Sequence, residues 1–161
     1  MAVFLLDVNV LMALAWGDHA QHQAARTWFS TLGADQWATC PMTQCSLVRI
    51  SSNPRVTTGA LRPREAVLLL EKLITHPKHV FWEDSIGLAN PLVPHTAMQG
   101  HLQVADAYLL GLSLARGGKI ATFDAGMSSL ARTPGERAAI VWIPTGPSAL
   151  APTSPPPPPT P

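Results

Sequence analysis

Apolar and polar positions fall along this chain in blocks whose period switches between that of a strand and that of a helix. Val3-Phe4-Leu5-Leu6 is an unbroken apolar run, the pattern of a strand buried on both faces in the middle of a parallel sheet. It stops on Asp7. A short apolar helix is predicted over Val10–Trp16, broken by Gly17-Asp18, with Asp18 placed to cap the next helix. That helix, His19–Leu32, carries Ala20, Ala24, Trp28 and Leu32 at helical spacing. Gln36–Cys40 reads as a strand, and Pro41 stands where a helix over Met42–Ser52 would begin. Pro63 opens a further helix to Ile74, with Ala66, Leu69, Leu70 and Leu73 on one face. His79–Trp82 is a third strand and runs into Glu83-Asp84. Residues 85–101 are interrupted by prolines and predict only short helices. Val104–Arg116 is the most apolar helix of the chain, stopped by Gly117-Gly118. A strand at 119–123, a short helix near Met127–Ala131 and a strand at Ile140–Ile143 complete the series.

Regular alternation of this kind predicts an α/β fold around a five-stranded parallel sheet. Ligands of such sheets bind at the carboxyl ends of the strands. Two predicted strands end there in a carboxylate, the first in Asp7 and the one at 119–123 in Asp124. Asp106 lies in the first turn of the apolar helix. The helix dipole favours an acid at that place, but on so apolar a helix the charge would be largely dehydrated, and a metal ion or an arginine must balance it. Three acids brought together repel one another, and a divalent cation is the ordinary reason to assemble them. Ligation by oxygen alone favours Mg²⁺ or Mn²⁺ over zinc. Such ions bind phosphate oxygens and activate water, which points to phosphoryl or phosphodiester chemistry.

Composition narrows this picture. With 161 residues, 47% of them hydrophobic, the chain can bury one real core. A net charge of +1 does not advertise a nucleic-acid binder, so any contact with phosphates must be local. Residues 49–64 hold Arg49, Arg55, Arg62 and Arg64 and no acid, either a solvated basic loop or such a local patch. No basic region precedes the first apolar run, and no apolar stretch reaches the ~18 residues of a membrane span; a cytoplasmic protein is expected. Cys40 and Cys45 are read as reduced, buried, small apolar residues, and a zinc site made from them with His76 and His79 is disfavoured by their spacing. His19 and His22 are read as part of a solvated helix face. From Pro144 the chain is dominated by proline, serine and threonine, ending in Pro155–Pro159, an extended tail.

Four short stretches carry a resemblance. Asp7-Val8-Asn9-Val10-Leu11 is similar to the opening Asp-x-Asn-x-Leu of PIN-domain ribonucleases, Val104-Ala105-Asp106-Ala107-Tyr108-Leu109-Leu110 to their third acidic motif, and Ala121-Thr122-Phe123-Asp124 to their fourth. Ala38-Thr39-Cys40-Pro41-Met42-Thr43-Gln44, followed by Val48-Arg49 and Ser52-Asn53-Pro54, resembles the second motif of VapC toxins of toxin–antitoxin operons. The resemblance covers residues 1–144 as one domain and leaves 145–161 as the tail. It implies a three-layer α/β/α fold with the sheet in the order 3-2-1-4-5, Asp7 and Asp124 on neighbouring strands, and Glu83-Asp84 at the far edge. It further implies that Asp7, Asp106 and Asp124 hold Mg²⁺ or Mn²⁺, that Asn9 and Thr122 orient the carboxylates, and that a metal-activated water cleaves RNA. Arg49 and Arg55 are the candidates for RNA contact. A cognate VapB-type antitoxin across the active-site groove and a homodimer formed through apolar helices belong to the same expectation, with no membrane partner.

One position departs from the pattern. The family's second acid, usually Glu, aligns with Gln44, which offers an amide oxygen and no charge, so weaker metal binding and reduced activity are expected. Two other classes stay open at this point. A PIN fold that binds RNA or a partner without cleaving is favoured by Gln44. A phosphatase of the haloacid dehalogenase type shares a buried strand ending in Asp, but Asn9 stands where its general acid belongs and no matching lysine motif is evident.

Overall fold

The structure is a computed structural model and describes residues 1–146; the tail beyond Pro144 lies almost wholly outside the described residues. Five parallel strands form one sheet in the order β3-β2-β1-β4-β5. They are β1 Val3–Leu6, β2 Gln36–Thr39, β3 His79–Phe81, β4 Lys119–Thr122 and β5 Ile140–Trp142. Leu5 of β1 pairs with Ala38 of β2 on one side, and Leu6 pairs with Ala121 of β4 on the other. β1 is therefore central, as its unbroken apolar run requires.

Side chains alternate across the sheet and divide the core in two. Leu5, Ala38 and Ile120 pack against α5, Val104–Ala115, through Ala107, Leu109, Leu110 and Leu112. Phe4, Leu6, Trp37 and Ala121 face the opposite layer, made by α1 (Val8–Ala15), α2 (His22–Ser30), α3 (Pro41–Ser51) and α4 (Pro63–Ile74). The result is the expected three-layer α/β/α sandwich. α5 is apolar nearly all round because a second segment covers it: a Cβ at Gly111 would stand 2.7 Å from Val93 Cγ2 and 2.9 Å from Val93 Cα. Only glycine lets the 85–101 connection pass so near the helix. Among the described residues no helix is long and apolar enough to cross a membrane.

Several local expectations need correction. α1 starts at Val8, and α2 at His22 behind Gln21, so Asp18 caps nothing. Residues 17–21 instead form tight turns, in which His19 N–H reaches Trp16 O and His22 N–H reaches His19 O. His22 Nδ1 pairs with Ala13 O at 2.7 Å and His19 Nδ1 accepts from Gln21 N–H at 3.1 Å; neither is a solvated face residue. Cys40 is buried as expected, but Cys45 is exposed, because two residues of helix turn it away from the buried Thr43 and Leu47.

A sixth helix, α6 Pro134–Ala138, was not foreseen. Its signal was legible: Thr133 accepts from Glu136 N–H at 3.1 Å, the capping-box spacing. Glu136, nearly buried, then takes Arg132 Nη2 at 2.7 Å and Arg132 N–H at 2.6 Å. Its carboxyl is held below the usual range chiefly by the arginine hydrogen bond.

Candidate active site

The carboxyl edge of the sheet gathers the acids. Asp7 occupies the cap position of α1 and is only 5% exposed, yet its side chain does not cap the helix. Its backbone N–H continues the ladder to Ala121 O at 3.0 Å, while its carbonyl accepts from Val10 and Leu11 N–H. With the backbone thus fixed, the carboxylate turns to β4, where Thr122 donates its hydroxyl to Asp7 Oδ2 at 2.9 Å. The same hydroxyl oxygen accepts Asp124 N–H at 3.0 Å. Thr122 is fully buried, so one side chain locks both strand ends together.

Asp124 lies exposed beyond β4 and heads a short 3-10 turn, Ala125–Leu130; its Oδ1 accepts Gly126 N–H at 2.7 Å. A Cβ at Gly126 would stand 2.9 Å from that oxygen. Sequence reading passed over this glycine, although the Asp-x-Gly spacing was its signal. Asp106 enters from the first turn of α5 and is half-buried.

Electrostatics show that the three share one region. Burial is the largest cause of a raised Asp106 carboxyl, pushed to about 6, with added repulsion from Asp7 and Asp124. Asp7 is likewise raised, first by burial and lastly by the charge of Asp124, against the lowering effect of Thr122 and of Val8 N–H. No cation offsets this charge, since the one ion pair among the described residues is Arg132–Glu136. Among those residues no three His, Cys, Asp or Glu side chains stand close enough together to hold a metal ion, the three aspartates included. The aspartates thus stand apart but within each other's field. Their hard oxygen donors fit Mg²⁺ or Mn²⁺ in kind.

The structure does not turn the other candidates toward these acids. Asn9 is exposed and makes no hydrogen bond to the three carboxylates among the described residues. Gln44, in the first half of α3, donates Nε2–H to Thr39 Oγ1 at 2.8 Å. Thr39 Oγ1 in turn lies 2.8 Å from His79 Nε2. Arg49 is the exposed basic residue of the last turn of α3, and Arg55 is exposed in the loop beyond it.

Asp84 is less remote than its edge strand suggested. It stands by Tyr108, whose hydroxyl is pushed up to about 12 by burial and then by this carboxylate. Burial also pushes the Cys40 thiol up, which marks it as an unreactive core group.

A family model for the PIN domain matches residues 4–133. The chain belongs to the PIN domain family. Ribonuclease VapC38 of Mycobacterium tuberculosis is 42% identical over 128 residues, covering 80% of this chain and 89% of the relative. Ribonuclease VapC39 of the same species is 38% identical over 128 residues, with 79% and 92% covered. These relatives make the chain a VapC-type PIN domain. A crystal structure of VapBC2 from Rickettsia felis bound to a DNA fragment from its promoter superimposes with a TM-score of 0.57, covering 87% of this chain and 96% of that one. At 10% identity that likeness shows the PIN fold alone.

Proposed function

We propose that this PIN domain is a metal-dependent endoribonuclease, the toxin of a VapBC-type toxin–antitoxin pair. The observation that carries the reading is a set of three aspartates at one sheet edge with no neutralising cation among the described residues, in a chain closely similar to ribonucleases of the VapC type. In this reading Asp7, Asp106 and Asp124 hold one or more Mg²⁺ or Mn²⁺ ions. When bound, the cation supplies charge neutralisation at the phosphodiester and lowers the pKa of water.

The chain's own residues do the rest. Thr122 keeps Asp7 turned toward the groove and sets the start of the loop that carries Asp124. The Asp124 turn is braced by Gly126 N–H, so its carboxylate stays extended to solvent and substrate. Arg49 and Arg55 contact RNA phosphates beyond the scissile bond, giving a nearly neutral protein local hold on the substrate. Gln44 contributes no charge and lowers metal affinity and rate relative to a glutamate at the same place. Asn9 keeps a role at the groove through its position two residues beyond Asp7. A VapB-type antitoxin covers the groove, the toxin forms homodimers through apolar helices, and the pair works in the cytoplasm.

Incubation of the purified chain with a panel of tRNAs and mRNAs tests this. Cleavage is expected with Mg²⁺ and its loss with EDTA. RNA left whole at every metal concentration, but bound equally with and without Mg²⁺, would establish the second reading that Gln44 favours, a PIN fold that binds without cutting.

A further inference from the structure

Beside Asn9 a cavity of about 300 Å³ opens between α1, the turn leading to α2, and the loop that follows α3. Met12 of the first helix, Trp16 just past its end, Ile50 of the third helix and Val56 of the loop supply its apolar wall, while Asn9, Asp18, His19 and Thr58 supply polar edges. Asn9 on its rim lies two residues beyond Asp7, and Ile50, Val56, Thr57 and Thr58 belong to the arginine-bearing segment 49–64. The volume sits at the small end of ligand pockets, room for one nucleoside and not for a stacked pair.

The walls are built in place. Trp16 donates its indole N–H to Ser51 Oγ at 3.0 Å, which ties the ring to α3. Thr57 donates its hydroxyl to Ile50 O at 2.8 Å, and Asn53 Oδ1 accepts Arg55 N–H at 3.0 Å, fixing the loop on the opposite side. His19 Nδ1 accepts Gln21 N–H, so its proton rides on Nε2, a donor. Burial lowers the His19 pKa and favours that neutral form. Asp18 is the one acid among the residues that line the cavity.

We propose that this cavity binds a single unstacked nucleobase of the RNA, next to the scissile phosphate, and selects guanine. The inference rests on the ribonuclease reading and extends it to substrate choice. Single-stranded RNA is recognised by bases splayed out onto aromatic rings and read at their edges. A carboxylate beside the path of RNA repels phosphates, so Asp18 must meet a part of the ligand that donates. Guanine alone presents two adjacent donors, N1–H and N2–H, to the two oxygens of a carboxylate. Adenine and cytosine offer one amine beside a bare ring nitrogen, whose lone pair the carboxylate repels, and uracil offers one N–H between two carbonyls. His19 Nε2–H and the Asn9 amide then serve guanine's O6 and N7 acceptors.

The test titrates the metal-free full chain with 5′-GMP, AMP, CMP and UMP, following the Trp16 indole N–H and the Thr57 and Thr58 amides by NMR. GMP should shift these signals with about tenfold higher affinity than the other three, the discrimination of one bidentate contact. Asp18→Asn, an exposed and conservative change, should bring GMP down to the level of AMP. His19→Gln, which keeps a donor, should leave the preference standing. Equal shifts by all four nucleotides, no shift at Trp16 by any of them, or a guanine preference that survives Asp18→Asn each overturn the proposal. Neither metal nor cleavage enters this titration. Guanine binding without RNA cleavage sinks only the nuclease reading, and RNA cleavage without guanine preference sinks only the pocket.

Discussion

Replacing Asp106 with asparagine should make the metal-free protein more stable while removing one of the three carboxylates proposed to hold metal. Asp106 titrates at about 6 against an ordinary 3.8, raised by burial and by the charges of Asp7 and Asp124. A shift of about two units corresponds to about 3 kcal/mol. The side chain is half-exposed, and solvent screening cuts this to about 1–1.5 kcal/mol. The sign follows from the direction of the shift. A carboxyl raised on folding binds its proton more tightly in the folded state, so stability is highest below the unfolded value of 3.8 and falls as pH rises through about 6. Asparagine carries no such charge. The variant should therefore gain its full advantage at pH 8, about half of it at pH 5, and a melting temperature raised by about 2–6 °C at the higher pH. Thermal unfolding of both proteins in EDTA at the two pH values measures this. Saturating Mg²⁺ should then stabilise the wild type and not the variant. A variant less stable than wild type at pH 8, or a gain that ignores pH, would refute the argument that Asp106 carries a dehydrated, uncompensated charge.

Three further outcomes are expected. Thr122→Val keeps the shape of a fully buried side chain but removes the hydroxyl between Asp7 and Asp124; it should cost about 1–2 kcal/mol in denaturant unfolding and raise the Asp7 pKa, and an unchanged Asp7 titration by carbon-detected NMR contradicts it. Gln44→Glu exchanges a donor to Thr39 for an acceptor and adds a negative charge in the first half of α3; if position 44 serves the site, Mg²⁺ should bind about tenfold tighter by calorimetry and RNA cleavage should rise, while no change in either removes position 44 from the site. The same exchange draws the Thr39 hydroxyl proton away from His79 Nε2, and the His79 pKa, now lowered chiefly by burial, should climb. Arg132→Met leaves the nearly buried Glu136 without its guanidinium partner and should lower stability by about 2 kcal/mol above pH 5, with the loss shrinking as acid protonates Glu136.

The run of strands and helices, α6 apart, and the central place of β1 were legible in the chain, because they follow from local periodicity. Val3–Leu6 could only be a strand covered on both faces, and Val104–Arg116 only a helix covered on several. Asp7, Asp106 and Asp124 were legible too, since a charge at the end of an apolar block demands an explanation wherever it folds. Side-chain direction was not. Asp7 stands at a helix cap, and only the pairing of β1 with β4 decides that its carboxylate meets Thr122, 115 residues away, instead of capping α1. Gln44 is set by its motif but aimed by Thr39 and His79, which reach it through the β2–β3 pairing. Asp18 reads as a cap, yet the chain needs a reversal there to lay α2 on α1, and the turn released the carboxylate to line a cavity. Periodicity settles which residues a strand or helix buries; which distant partner each polar group finds depends on strand order and register, and those are properties of the assembled sheet.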